Sequence, residues 1–180
     1  GGKIKNLNQI YAYLKNGADK ISINSRAFKD PKFINEAARE FGSQCIVVSI
    51  DVKKINNKYK VFIDNGSTNT NIDLVDWVDI IQSEGAGEIL INSIDRDGSK
   101  TGYDFKILDK LKNKIKIPLI FCGGVGHWKD FKMALKKKEI DAVAAANIFH
   151  HFDQSDYLAK DYLIKNKIKN IRPPNFFKDK

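Results

Sequence analysis

Asp51 closes the apolar run "QCIVVSID" (44–51), and a second such run, "EILINS" (88–93), leads into Asp95-Arg96-Asp97-Gly98. A carboxylate at the end of a buried strand can shuttle protons; its plainer role is a polar cap on the loop. Two carboxylates, a guanidinium and a glycine in four residues exceed what a connector needs. They read as a site, with Gly98 as a hinge. For Asp95 an ion pair with Arg96, or a cap on the next helix, competes with that reading. Two Gly-Gly pairs, Gly1-Gly2 and Gly123-Gly124, could each turn backbone N–H groups toward an anion. Asn24 with Ser25, and Ala146 with Asn147, end the strands that follow those pairs.

The elements that must position these residues alternate in kind. β-Branched runs at 19–24, 44–51, 88–93, 117–124 and 141–147 predict strands, and helical periodicity predicts helices near 6–16, 30–41, 73–84, 104–114, 128–138 and 155–166. Alternating strands and helices imply a parallel sheet of βα units. The near-continuous apolar runs fit strands buried on both faces. "KKINNKYKVFID" (53–64), with Asn56-Asn57 at its middle, predicts a hairpin hanging over the strand end that carries Asp51.

A repeat adds to this. "GGKIKNLNQIYAYLKNGADKISINS" from Gly1 and "GGVGHWKDFKMALKKKEIDAVAAAN" from Gly123 align without a gap at an offset of 122 residues. Each runs Gly-Gly, helix, strand, small polar residue, with Ser25 opposite Asn147. Four βα units of roughly 30 residues span about that offset. Eight make a (β/α)8 barrel of about 250 residues, with function at the carboxyl ends of the strands. The repeated Gly-Gly context then builds two phosphate sites on opposite sides of the barrel mouth, which implies a substrate with a phosphate at each end. The expectation is one domain over 1–180: an α/β (β/α)8 TIM barrel, N-terminally incomplete, running from about the end of strand 3 through helix 8. Roughly the first two and a half units would be missing. An incomplete sheet leaves edges open to pairing with another chain.

Composition excludes other classes. The chain of 180 residues is 42% hydrophobic and 11% aromatic, as a globular protein is. No apolar run reaches the roughly 18 residues of a membrane span. The formal charge of +9 comes from scattered lysines that suit solvated helix faces. No zinc-finger, helix-turn-helix or RNA-recognition pattern is present, so neither nucleic acid nor membrane is expected as a partner. Cys45 and Cys122 read as reduced core thiols of a cytoplasmic protein. His127, His150 and His151 lack a metal-ligand spacing, so no metal and no cofactor is expected. Trp77 and Trp128 read as helix-packing residues, and "RPPNFFKDK" as a polar-aromatic tail.

"GADKISINS", "FGSQCIVVSID", "GAGEILINSIDRDGSKTGYD" and "AAANIFHHF" closely resemble the cyclase subunit of imidazole glycerol phosphate synthase, over nearly the whole chain. The resemblance implies a (β/α)8 barrel that acts as a lyase in histidine biosynthesis. It would use ammonia from a glutaminase partner to convert a ribulosyl-linked aminoimidazole carboxamide bisphosphate into imidazole glycerol phosphate and the carboxamide ribotide. Asp51 matches one of two catalytic aspartates, the other belonging to the first strand. Asn24 and Ser25 match one phosphate site. Asn92, Ser93, Asp97, Gly98, Gly123, Gly124, Ala146 and Asn147 match substrate and phosphate contacts at the other end. Lys20 and Glu88 match a charged gate for ammonia, and Asp19 and Gln44 the surface that meets the glutaminase. Independently of the resemblance, a Lys and a Glu facing a barrel floor must pair to offset desolvation.

Asn92 stands where the biosynthetic enzyme usually carries Thr, Asn147 replaces a usual Ser, and "STNTN" lacks a common Gly. These departures resemble a paralogous branch associated with amidination of surface sugars. A chain without its first catalytic strand could also bind phosphates or a glutaminase without turning over.

Overall fold

Hydrophobic alternation sorts the strands onto two faces. The computed structural model describes residues 2–150 and 155–173. Gly1 of the first Gly-Gly pair, His151 and residues 174–180 of the tail lie outside the described residues. Five parallel strands form the frame: β1 (Ile21–Ile23), β2 (Ile46–Ile55), β5 (Glu88–Ser93), β6 (Leu119–Cys122) and β7 (Ala142–Val143). Each pairs with the next in that order. This is the connectivity of consecutive units of a (β/α) barrel. Helices α1 (Leu7–Lys15), α2 (Ser25–Lys29), α3 (Lys32–Phe41), α4 (Leu74–Ser83), α5 (Lys106–Leu111), α6 (Trp128–Leu135) and α7 (Ser155–Lys165) supply the crossovers and their flanks.

The expected helix over 30–41 is preceded by a separate short one, α2, which begins directly at Ser25. β2 continues past Asp51 and turns back as β3 (Lys58–Ile63), so the hairpin is an extension of a barrel strand. Asn56 and Asn57 both hold positive φ, 47° and 63°, as a type I′ turn requires. A third antiparallel strand, β4 (Thr68–Asp73), was not legible: "TNTNID" has neither the apolar content nor the β-branched density of a buried strand.

One sheet face packs on the helices. Ile21, Ile23, Ile46, Val48, Ile50, Ile89, Ile91, Leu119 and Phe121 are all at most 3% exposed there. Each fully buried side chain of this size stabilises by about 1.5–3 kcal/mol. The expectation of strands buried on both faces needs correction. The opposite face carries Lys20, Ser22 and Asn24, then Val47, Ser49 and Asp51, then Glu88, Leu90 and Asn92, and of these only Val47 is buried, the rest being half-buried or exposed. Parallel register aligns them, with Ser22 beside Val47, and Asp51 beside Asn92. This face is mixed at mid-height, where Ser49 lies beside Leu90, and polar at both ends.

Candidate functional site

At the carboxyl ends of β1, β2 and β5, three polar side chains from adjacent strands meet. Asn24 Nδ2 donates to Asp51 Oδ2 at 2.8 Å, and Asn92 Nδ2 donates to Asp51 Oδ1 at 3.1 Å. Both oxygens of the acid are therefore fixed by amides on its two neighbours, which orients a carboxylate without neutralising it. Asn92 Oδ1 is buried without a hydrogen-bond partner among the described residues. The carboxylate dictates this, because turning the amide over would set oxygen against oxygen.

Asp51 faces a cleft of about 590 Å³ that also borders Gly2, Lys3, Lys5, Asn24, Ser25, Arg26 and Lys29. The cationic rim was not singled out from sequence, since these residues look like ordinary surface charges until α2 folds back. Arg26 is committed structurally: it donates to the Lys5 carbonyl and Asp30 and lies over the Phe33 ring. Ser25 Oγ accepts the Asp64 N–H at 2.9 Å, tying the first strand's end to the β3–β4 turn.

A second, small cleft is bounded by Asp97, Gly98, Gly123, Gly124, Val125, Ala145, Ala146 and Asn147. Gly123 and Gly124 sit at φ of 93° and 102°. A Cβ on Gly123 would lie 2.7 Å from the Ser93 carbonyl oxygen, and one on Gly124 would overlap the Gly102 carbonyl oxygen. Here the pair is required by backbone conformation and by close approach together. The structure thus brings Asp97, Gly98, Gly123, Gly124, Ala146 and Asn147 together, and Asn92, which donates to Asp51, lies against Gly123 between the two clefts. Ser93 does not join either cleft. It is 3% exposed on the helix-facing side, and its carbonyl accepts the N–H groups of Arg96 and Asp97 to start the loop.

Asp95 neither pairs with Arg96 nor caps a helix. Its Oδ2 accepts the Lys54 backbone N–H at 2.8 Å, while Arg96 donates to Thr101. Buried Asp104 accepts from the Tyr59 hydroxyl at 2.7 Å. Sequence reasoning missed Tyr59 and Asp104, because a Tyr in a hairpin and an Asp before a helix are commonplace locally. Burial, then the bond to Asp104, hold the Tyr59 hydroxyl well above its ordinary value. Burial, then the Asp97 charge, raise the Cys122 thiol, the reverse of what a nucleophile needs. His127 accepts from Lys129 as a cap on α6. Among the described residues no cluster of His, Cys, Asp or Glu could hold a metal, and no helix is long and apolar enough to cross a membrane.

At the opposite ends of the strands, Lys20 Nζ lies 2.7 Å from Glu88 Oε1 and 3.0 Å from the Gln44 carbonyl oxygen. Asp19 and Gln44 are exposed beside this pair.

Consecutive parallel βα units, with polar side chains gathered at the carboxyl ends of the strands, define a (β/α)-barrel protein of the kind that keeps its chemistry at that rim. The model of the histidine biosynthesis protein family matches residues 1–155. The imidazole glycerol phosphate synthase subunit HisF of Hydrogenobaculum sp. (strain Y04AAS1) is 47% identical, over 93% of this chain and 67% of its own length. The subunit of the same name from Flavobacterium psychrophilum is 48% identical, over 96% and 68%, and that of Lactococcus lactis subsp. cremoris (strain MG1363) 43%, over 93% and 66%. The chain belongs to the histidine biosynthesis protein family, within its HisF-type members. It spans about two thirds of the length of these relatives.

Proposed function

We propose that this chain carries the larger part of the cyclase site of an imidazole glycerol phosphate synthase, a lyase of histidine biosynthesis. The observation that carries the reading is the Asn24–Asp51–Asn92 constellation, a carboxylate clamped at a strand end beside a cleft rimmed by lysines. In this reading Asp51 takes and returns protons as the imidazole ring closes and the glycerol phosphate product separates. The two side-chain amides keep it aimed, so little reorganisation accompanies each transfer. The cleft beside Asn24 and Ser25 binds one phosphate of the substrate. The Gly98, Gly123, Gly124 and Asn147 cleft binds the other, through backbone N–H groups that only glycine lets approach so closely. Asp97 contacts the substrate between them.

The pair of Lys20 and Glu88 serves as a gate for ammonia arriving from a glutaminase subunit, which docks across Asp19 and Gln44. Ammonia then travels along the half-buried face past Ser22, Ser49 and Leu90. The whole would operate in the cytoplasm without a cofactor.

The test is turnover of the ribulosyl bisphosphate substrate with ammonium, for this chain alone and then supplemented with separately supplied βα units of a full-length relative. Activity on supplementation supports the reading. No activity from a folded, complemented barrel sinks it and favours the amidination paralogue, with Asn92 and Asn147 the first residues to exchange for Thr and Ser.

A further inference from the structure

Lys54 and Tyr59 are cross-strand partners on one rung of the β2–β3 hairpin. The loop after β5 attaches to that single rung twice. At its start Asp95 accepts the Lys54 N–H at 2.8 Å, and at its end Asp104 accepts the Tyr59 hydroxyl at 2.7 Å. Everything between, including Asp97 and Gly98, is a closed excursion from that rung. Its far side is held too: Gly102 donates to the Gly124 carbonyl at 2.7 Å, and Tyr103 Oη donates to the Ala144 carbonyl at 3.1 Å.

We propose that Tyr59 is a positioning residue: through Asp104 it holds the 95–104 loop, and with it Asp97 and Gly98, in fixed relation to both the Asp51 strand and the Gly123-Gly124 cleft. The proposal rests on the anion-site reading above for its functional consequence, but not for its structural core. Three features support it. Tyr59 and Asp104 are 4% and 8% exposed, so neither partner can exchange its bond for water at low cost. Burial keeps the Tyr59 hydroxyl protonated and so always a donor. Asp104 Oδ1 also accepts the Lys106 N–H at 3.3 Å, which locks the acid to the start of α5 and makes it a firm anchor. The other hairpin anchor, Asp95, is exposed. Removing the buried anchor therefore frees the end of the loop that returns past Gly124.

The experiment compares the full chain with its Tyr59→Phe, Asp104→Asn and Asp104→Ala variants. Two quantities are read: amide hydrogen exchange of residues 96–103, and affinity for inorganic phosphate from the shifts of the Gly98, Gly123 and Gly124 amides. Tyr59→Phe keeps the ring and its packing. It is expected to speed exchange in the loop about tenfold relative to β5 and β6, and to weaken phosphate several-fold. Asp104→Asn keeps an acceptor for the hydroxyl and retains most of the protection, whereas Asp104→Ala does not. Loop exchange unchanged in Tyr59→Phe, with or without a loss of overall stability, overturns the proposal. If the parent chain does not bind phosphate, the anion-site reading fails, and loop exchange alone still decides the role of Tyr59.

Discussion

Asn92 and Asp51 occupy the same rung of adjacent parallel strands, and the Asn92 amide donates to Asp51 Oδ1 at 3.1 Å. With Asn24 on the other side, the acid has no oxygen left to rotate freely. In the proposed reading, a side chain held this way would transfer protons to a substrate whose own position is fixed elsewhere, by its phosphates.

Replacing Asp51 by Asn keeps the shape but puts an amide donor against one of two existing donors. Either Asn24 or Asn92 must turn over in response. In a barrel completed by separately supplied βα units, turnover is expected to fall by about 10²–10⁴-fold, with KM nearly unchanged. Steady-state kinetics with ammonium checks this. Unchanged turnover would remove Asp51 from the chemistry.

Alanine at Gly123 or Gly124 should be poorly tolerated. A left-handed conformation costs an L-residue roughly 1–2 kcal/mol, and here the added carbon also meets backbone that cannot retreat. Denaturant unfolding is expected to register a loss above about 2 kcal/mol for each variant. Phosphate-induced amide shifts should disappear in any variant that still folds. A substitution as neutral as one on an open turn would show that the close packing around these glycines is not required.

The Lys20–Glu88 pair is different, because Lys20 is nearly half exposed. Glu88→Gln is expected to change stability by less than about 1 kcal/mol. Its effect should fall on glutamine-dependent turnover in the presence of a glutaminase and spare ammonium-dependent turnover. Equal losses in both assays would exclude a gate.

Tyr59, Tyr103 and Cys122 all have their ionisation pushed up, in each case by burial first. Such groups stay protonated in the folded chain while the unfolded chain loses protons above their ordinary values of 10.0 for tyrosine and 9.0 for cysteine. Their contribution to stability is thus fully present below pH ~9 and declines as pH rises through the folded values. Urea midpoints measured from pH 7 to 10.5 should be flat at first and then fall. The fall should be shallower in Tyr59→Phe. A curve whose high-pH limb is identical in that variant would discount Tyr59 as a contributor.

Much of this protein was legible in its letters. Alternating β-branched and helical segments gave the order of the five parallel strands and their crossovers, because strand and helix periodicities differ and survive without context. Gly-Gly, helix, strand, polar residue, written twice, marked the strand ends where anions could sit. Asp51, Gly98 and Gly124 stood out because each is an odd choice for its local setting. The three-stranded extension was only half legible, since β4 is held by pairing with β3 and has no pattern of its own.

What tertiary structure alone decided is which distant polar groups touch. Asn24 and Asp51, 27 positions apart, and Asp51 and Asn92, 41 apart, are brought together by sheet register. Register is set by how the apolar face packs on the helices, a property of all the strands together. The same holds for Tyr59 and Asp104, which are 45 residues apart. Neither is unusual among its neighbours in sequence. Only burial turns their contact into an anchor, by removing the water that would otherwise compete for it.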